Sequence, residues 1–182
     1  TGQTENGGQG SQYIATLNYR NKIQQYIDQT GTVENNGFLA ATGIMTIYLA
    51  IFDTDMYGSI PYTEAAHYDD KGILTPKYEK VEDLYDLWIE ELNNYITMLQ
   101  AGDLVSFKGQ DAAYGCDWKK WARFANSLKL KIAARLYNNE PAKAMQLVEE
   151  AASNKAGLMT STDDDFLFCK ATVKSSGSDD YV

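Results

Sequence analysis

Apolar residues recur at helical spacing along most of the chain, and strand-like alternation is nearly absent. The pattern is clearest over residues 76–100, where eight apolar positions follow one face of a helix. These positions are Val81, Leu84, Tyr85, Trp88, Leu92, Tyr95, Ile96 and Leu99. Pro76 is expected at the first position of this helix, with Thr75 as its N-cap, because the first turn needs no N–H from that residue.

Four further helices are predicted from the same spacing. They cover residues 11–28, 37–54, 118–137 and 141–154. Gly31 is expected to stop the first of them, Asp117 to cap the third, and Pro141 to open the fourth. Helix–turn–helix units in series predict an all-α fold, either a bundle or a helical-repeat stack, with long loops.

The helix over residues 37–54 is apolar nearly all round, which is typical of a helix in the middle of a stack. Its small residues, Gly37 and Gly43 among them, would let a neighbouring helix approach closely. A membrane span is not expected, because the predicted helix is too short and Thr42 and Thr46 dilute its apolar character.

Composition divides the chain into three parts. Residues 1–10 are polar and rich in glycine and are expected to form a flexible lead-in, residues 11–170 form the helical domain, and residues 171–182 form a polar tail. Thr1 is not an initiator methionine, and no signal peptide is visible. The chain is therefore expected to be a mature or excised piece of a longer protein.

Charge excludes one class of function. The net charge of −9 argues against nucleic-acid binding, which needs a basic face to meet phosphates. Acidic residues gather at the start of the helix over 76–100, whereas the helix over 118–137 is rich in base. The basic residues are Lys119, Lys120, Arg123, Lys129, Lys131 and Arg135. These two helices are predicted to form an antiparallel pair whose charges meet at its margins.

The residues that could carry catalysis or hold a metal form no recognisable constellation. His67 has no serine or cysteine nucleophile motif around it, so a solvated or hydrogen-bonding role is expected. Asp53 and Asp55 lie two apart at a helix end and point in different directions, unlike the facing pair of a glycosidase. The acids at 163–165 lack the glycine and glutamate of a calcium loop, and the two cysteines lack zinc-site spacing. No enzyme activity, metal or cofactor is predicted.

Aromatic residues are the better candidates for binding. The chain has 13 tyrosines, and a flat apolar ring with a hydroxyl suits sugars or peptides. The alternative is that most of them pack between helices. Trp118 stands beside the long loop over 102–117 and could form a platform with Phe107 and Tyr114. Trp121 falls on the apolar stripe and is expected in the core.

Residues 53–65, DTDMYGSIPYTEA, mark the exit of the apolar helix. Gly58 and Pro61 forbid a helix through the middle of this stretch. The stretch resembles the signature "TD-hydrophobic-YGD-hydrophobic-PYSEA" of the SusD/RagB family, with Ser59 where aspartate is usual.

Three further segments resemble the same family in the same order. Residues 75–78 and 84–85, TPKY and LY, are similar to its "P-x-Y-D…I-Y" segment. Residues 103–117 resemble its "D-L-x-Y-G-G-D" loop, with an inserted stretch and with Cys116 in place of the second glycine. Residues 121–131, WARFANSLKLK, are very close to its "W-x-K-F-A-N-S-L-K-L-R" helix. The chain is identified as a member of the SusD/RagB family on these four matches.

The resemblance implies a scaffold of TPR-like antiparallel helix pairs. It also implies a non-enzymatic lipoprotein on the cell-surface side of a Gram-negative outer membrane. Such proteins bind glycans, and some bind peptides, beside a TonB-dependent transporter of the SusC type. Full-length members are longer and carry a lipoprotein cysteine. The chain is therefore expected to be an internal fragment, with membrane contact only through an anchor that it lacks.

Two functional hypotheses follow. The first is capture of an oligosaccharide for a SusC-like TonB-dependent transporter, with Tyr57, Tyr62, Tyr114 and Trp118 as candidate ligand-binding residues. The second is a TPR-like protein-interaction module, or a peptide-binding component, that has no glycan site in this stretch. Binding of the same glycan by this chain and by a full-length parent would favour the first.

Overall fold

The computed structural model describes residues 12–166, and within this range the chain forms six α-helices and no strand. They are α1 (Gln12–Thr30), α2 (Asn36–Tyr57), α3 (Tyr68–Lys71), α4 (Val81–Gln100), α5 (Trp118–Leu136) and α6 (Pro141–Ser153). The all-α fold predicted from the hydrophobic pattern is confirmed. The lead-in predicted over residues 1–10 and the tail predicted over residues 171–182 lie outside the described residues.

The five long helices pack in chain order. α1 packs on α2, α2 on α4, α4 on α5, and α5 on α6. Their buried apolar side chains join in one core, in which Ile44, Ile47 and Ile51 of α2 and Trp88 of α4 are fully buried. α2 thus occupies the middle of the stack, as its nearly all-round apolar surface predicts.

The length argument against a membrane span in α2 is wrong. α2 runs on to Tyr57, and the segment Val33–Tyr57 is long and apolar enough to cross a membrane by length and composition alone. However, 67% of its apolar window is buried against other parts of the chain. This burial accounts for the apolar character of α2 as that of a core helix packed between α1 and α4.

Three predicted helix ends are confirmed. The side chain of Asp117 accepts hydrogen bonds from the N–H groups of Lys119 and Lys120, each at 3.1 Å, and so caps α5. Pro141 stands in the first turn of α6. Gly31 follows α1 with φ of 70°, a left-handed conformation that glycine adopts without a steric penalty.

The predicted start of the helix over residues 76–100 is wrong. Pro76 does not open it and Thr75 does not cap it, because α4 begins at Val81. The N–H of Glu79 instead donates to the carbonyl oxygen of Ile60 at 3.0 Å, in an isolated antiparallel bridge. This non-local pairing holds the chain extended just where the local proline signal favours a helix.

Glycines let α2 approach its neighbours closely, as predicted. A Cβ atom at Gly37 would lie 2.7 Å from the ring of Trp118 at the start of α5. A Cβ atom at Gly43 would overlap the hydroxyl-bearing edge of the Tyr95 ring in α4, well inside van der Waals contact. Both positions therefore require glycine, given the placement of the two aromatic rings.

Two polar side chains of α5 are fully buried. Lys129 donates from Nζ to Asn93 Oδ1 at 2.8 Å and to Glu150 Oε1 at 2.5 Å. Asn126 donates from Nδ2 to two backbone carbonyl oxygens at the end of α6 and just beyond it, both at 2.8 Å. Lys129 therefore does not lie at an exposed margin. Within residues 12–166 no ion pair joins α4 to α5, contrary to the expectation for these two helices.

An ion pair fastens the end of α2 to α5 instead. Arg135 Nε donates to Asp55 Oδ1 at 2.7 Å, and this hydrogen bond holds the pKa of the Asp55 carboxyl below its usual value. A carboxyl with a lowered folded-state pKa stabilises the fold above its unfolded pKa and loses that contribution as pH falls through the folded value. Asp55→Asn is expected to lower stability at neutral pH by under about 1 kcal/mol, since the pair is partly exposed.

Thermal unfolding of Asp55→Asn and the unchanged chain, followed at pH about 7 and about 2, measures this effect. The two melting temperatures should differ at the higher pH and converge at the lower one. An equal difference at both pH values would contradict the assigned role of the carboxylate.

Candidate functional site

A broad concave surface of the described chain lies between α1, the start of α2 and the loop over residues 102–117. It is a groove of about 1130 Å³. We call it the aromatic groove, after four rings that line it: Tyr19, Tyr26, Phe38 and Phe107. An apolar groove with a small number of polar groups is the usual form of a ligand site.

Three of the four rings are presented to solvent. Tyr19 is 63% exposed, Tyr26 53% and Phe107 57%. The two tyrosines are seven residues apart on α1, so they lie two turns apart on one face of the helix, with a spacing of roughly 10 Å along its axis. Rings set along a groove in this way offer flat faces at more than one point along an elongated ligand.

The floor of the groove is an aromatic cluster. Phe38 stacks on Phe107, with ring centroids 5.9 Å apart and planes at 17°. Trp118 meets Phe38 edge-on, with centroids 5.3 Å apart. Phe38 thus joins the loop to the start of α5. The geometry is typical of favourable aromatic pairs, which hold one another in fixed orientations.

Polar groups alternate with these rings. Lys22 and Glu34 bring one charge of each sign, and Asn35 and Gln110 bring side-chain amides. The hydroxyl of Thr42 adds a further donor and acceptor, although it also donates to a backbone carbonyl of its own helix at 2.8 Å. Amides, hydroxyls and charged groups of both signs can bond the hydroxyl groups of a sugar or the backbone of a peptide.

A smaller cavity of about 300 Å³ continues the groove toward the core. It shares Phe38, Thr42 and Gln110 with the groove and is otherwise lined mainly by apolar groups. Trp118 and Phe166 form part of its wall. The groove and the cavity therefore adjoin each other above α2.

Asp111 organises the loop that borders this space. Its Oδ1 accepts from the N–H groups of Ala113 and Tyr114 at 2.9 and 3.2 Å. Its Oδ2 accepts from the N–H of Cys116 at 2.8 Å and from the indole Nε1 of Trp121 at 2.7 Å. One carboxylate thus ties the loop both to itself and to α5. An aspartate is needed because no neutral side chain accepts four hydrogen bonds on two oxygens.

A sequence profile of the SusD-like proteins, described as starch-binding and associating with the outer membrane, matches residues 6–179. The chain belongs to the SusD-like family. This membership confirms the identification made from the four sequence segments. Proteins of the SusD-like family are binding proteins, and the family is associated with the outer membrane.

Solved structures of SusD homologues share this fold. The homologue from Bacteroides uniformis is 28% identical with a TM-score of 0.73, over 84% of this chain and 30% of its own. The homologue from Parabacteroides distasonis is 28% identical with a TM-score of 0.71, over 83% and 28%. A chitin-binding SusD homologue from Flavobacterium johnsoniae is 25% identical with a TM-score of 0.70, over 86% and 32%. The chain thus spans about a third or less of their length. No curated protein sequence matches it.

Two of the four predicted SusD-like ligand residues lie near the groove. Trp118 is half-buried and stands at the boundary of the aromatic cluster. Tyr114 belongs to a different cluster, in which its ring meets Trp121 at 5.2 Å and Phe166 at 5.8 Å. Its hydroxyl donates to a backbone carbonyl at 2.8 Å, and burial raises its pKa to about 12. The predicted platform of Phe107, Tyr114 and Trp118 therefore forms only in part, with Phe38 in the place expected for Tyr114.

The other two predicted residues lie away from the groove. Tyr62 is 1% exposed, its ring packs edge-on against Trp88, and its hydroxyl donates to Glu91 Oε2 at 2.8 Å. It leaves no ring face free for a ligand. Tyr57 is 58% exposed, but it ends α2, whereas Phe38 stands near its start, roughly 28 Å away along the helix.

The polar residues that could suggest catalysis do not come together in one site. Nδ1 of His67 lies 2.8 Å from Asp70 Oδ2. Asp53 is buried at the end of α2, whereas Asp55 pairs with Arg135, so the two carboxylates do not face each other. Within residues 12–166 no three histidine, cysteine or acidic side chains come together as a metal site would require.

Sequence reasoning missed Tyr19, Tyr26 and Phe38 as members of the groove. One signal was available for the first two, since they lie seven apart on a helix whose buried stripe is formed by Tyr13, Leu17 and Ile27. No sequence signal places Phe38 against Phe107, because the two are brought together by the path of a long loop.

Proposed function

We propose that this chain is the glycan-binding part of a cell-surface nutrient-uptake protein, and that the aromatic groove holds the oligosaccharide. The observation that carries the proposal is membership of a family described as starch-binding, together with a chitin-binding relative of the same fold. The groove supplies a site of the right chemistry within the described residues.

The chemistry of the groove favours a sugar chain. The exposed faces of Tyr19, Tyr26 and Phe107 can stack on the apolar faces of sugar rings, which removes apolar surface from water. The amides of Asn35 and Gln110 can then bond the equatorial hydroxyls. A peptide would use the same polar groups, so it is the competing ligand for this site.

We further propose that the captured oligosaccharide passes to a TonB-dependent transporter of the SusC type at the outer membrane. Support comes from the family description, which places these proteins in association with that membrane. The chain's fold also supports this role, because sequentially packed helices expose a long surface while their core stays closed.

Two single substitutions test the groove. Phe107→Ala and Tyr26→Ala should each weaken binding of maltotriose or chitotriose by about tenfold, which corresponds to about 1.4 kcal/mol of lost ring contact. Isothermal titration calorimetry on the 182-residue chain measures this change. Tyr137→Ala is the matched control, because Tyr137 is as exposed as Phe107 but lies beyond the far end of α5.

Unchanged affinity in both groove variants would remove the groove from the proposal. If the chain instead binds tripeptides and neither trisaccharide, and the two groove variants lose that binding, the groove is the site but its ligand is a peptide. Equal weakening in Tyr137→Ala would show that the loss reflects folding and not contact with the ligand.

A second candidate function is a protein-interaction module. The observation that favours it is the exposed apolar end of α2, where Phe52 is 43% exposed, Met56 67% and Tyr57 58%. Large apolar groups grouped on one surface commonly mark a protein contact. If the chain binds its transporter but no glycan, and Met56→Glu abolishes that contact, this second function holds.

A further inference from the structure

A second concave surface lies on the other side of Trp118. It is a cleft of about 690 Å³ between the end of α4, the start of α5 and the turn after α6. We call it the basic cleft, after Lys119, Arg123 and Lys155, which line it together with Gln100. Trp118 lines both this cleft and the cavity that continues the aromatic groove.

Three cations meet in the cleft although the chain as a whole is acidic. The sequence has 25 acidic and 16 basic residues. Lys119 and Lys155 are exposed, and neither forms an ion pair with a carboxylate within residues 12–166. Lys119 and Arg123 lie one helical turn apart, so their like charges repel each other unless an anion lies between them.

The nearby carboxylates balance only part of this positive charge. Asp117 lines the cleft, and its Oδ1 also accepts from two N–H groups of the first turn of α5. Asp164 Oδ1 accepts from Arg123 Nε at 2.8 Å and lies 2.6 Å from Arg123 Nη2. Three cations therefore face two carboxylates, so the cleft keeps a net positive charge.

A neutral donor adds to the same site. The side-chain amide of Gln100 lines the cleft beside the cations. The cleft therefore combines cationic and neutral donors, which suits an oxyanion.

We propose that the basic cleft binds the carboxylate or sulfate group of an acidic saccharide. Lys119 and Lys155 contact the anion, Arg123 presents a fixed guanidinium, and Trp118 lies between this site and the aromatic groove. The saccharide part of this inference rests on the proposed function, whereas the binding of an anion does not. The chain would then select glycans that carry uronic acid or sulfate groups over neutral ones.

The double variant Lys119→Gln/Lys155→Gln tests the cleft. Titration calorimetry should show at least tenfold weaker binding of trigalacturonate and of a sulfated disaccharide, with chitotriose affinity unchanged. In the unchanged chain the acidic ligands should bind more weakly as salt rises, because screening acts on exposed charges. Lys71→Gln/Lys80→Gln removes the same charge from two other exposed positions and should leave all three affinities unchanged.

Several outcomes would overturn the inference. They are failure of the unchanged chain to bind either acidic sugar, unchanged affinity in the cleft variant, and an equal loss in the control variant. If inorganic sulfate competes for the cleft as strongly as the sulfated disaccharide does, the cleft recognises a free anion and not a saccharide. If the chain binds acidic sugars but no neutral sugar, the proposed role of the aromatic groove is wrong and the proposed role of the basic cleft still holds.

Discussion

Replacement of Gly43 by alanine is expected to destabilise the chain by about 3 kcal/mol, the upper part of the usual range for overpacking a core. The added methyl group would overlap the hydroxyl-bearing edge of the Tyr95 ring, at the contact between α2 and α4. Neither group can yield easily, because Tyr95 is buried and α2 is held on both sides by other helices. Thermal unfolding followed by circular dichroism should show a melting temperature lower by roughly 6–12 °C.

Gly102→Ala provides the matched control. It is the same substitution just beyond the end of α4, and its methyl group would meet no atom within 4 Å. The melting temperature of this variant should stay close to that of the unchanged chain. Combining Gly43→Ala with Tyr95→Leu should cause less loss than the sum of the two single variants, because the smaller side chain makes room. If the two stability losses simply add, the destabilisation by Gly43→Ala does not arise from contact with Tyr95.

Replacement of Asp111 by alanine is expected to impair folding and ligand binding together. Four donors lose their acceptor, among them the indole N–H of Trp121 and the N–H of Cys116. The loss should be about 4 kcal/mol, since each of the four donors left unpaired costs about 1 kcal/mol or more. The loop that carries Phe107 would no longer hold its ring over Phe38, so trisaccharide affinity should fall more than tenfold.

The control for Asp111→Ala is Asp117→Ala, which removes a carboxylate with two backbone donors from the same loop. That change should cost about 1 kcal/mol as a lost helix cap and leave the affinity for neutral sugars intact. Calorimetric titration and thermal unfolding on both variants separate the two effects. Wild-type sugar affinity in a folded Asp111→Ala chain would mean that the loop does not position the site.

Most helix ends in this chain are determined by neighbouring residues, and these ends could be predicted from the sequence. The cap at Asp117, the proline at the start of α6 and the glycine after α1 act through neighbouring backbone groups alone. The start of α4 was missed for the opposite reason. Its position depends on a hydrogen bond between Glu79 and Ile60, nineteen residues apart in the chain, which no local pattern reveals.

The residues of the candidate site were likewise predictable only where local sequence determines their position. Trp118 could be chosen from its place beside a long loop, and it does line the smaller cavity next to the groove. Tyr62 is an equally good candidate for ligand binding from the sequence, yet the fold buries it against Trp88 and Glu91. The amphipathic nature of tyrosine explains both outcomes, because its hydroxyl can be satisfied inside the core as well as outside it. Only the tertiary packing decides between them.

The buried ammonium of Lys129 has a consequence for the shape of the helix stack. Apolar contacts have no directional requirement. This ammonium group, in contrast, has its acceptors at one height only, on Asn93 of α4 and Glu150 of α6. A slip of α6 by one turn, about 5.4 Å, would leave the charge enclosed without its carboxylate, an arrangement that is strongly unfavourable. Lys129 thus helps to fix the positions of α4, α5 and α6 along one another, which close packing alone would leave less strictly defined.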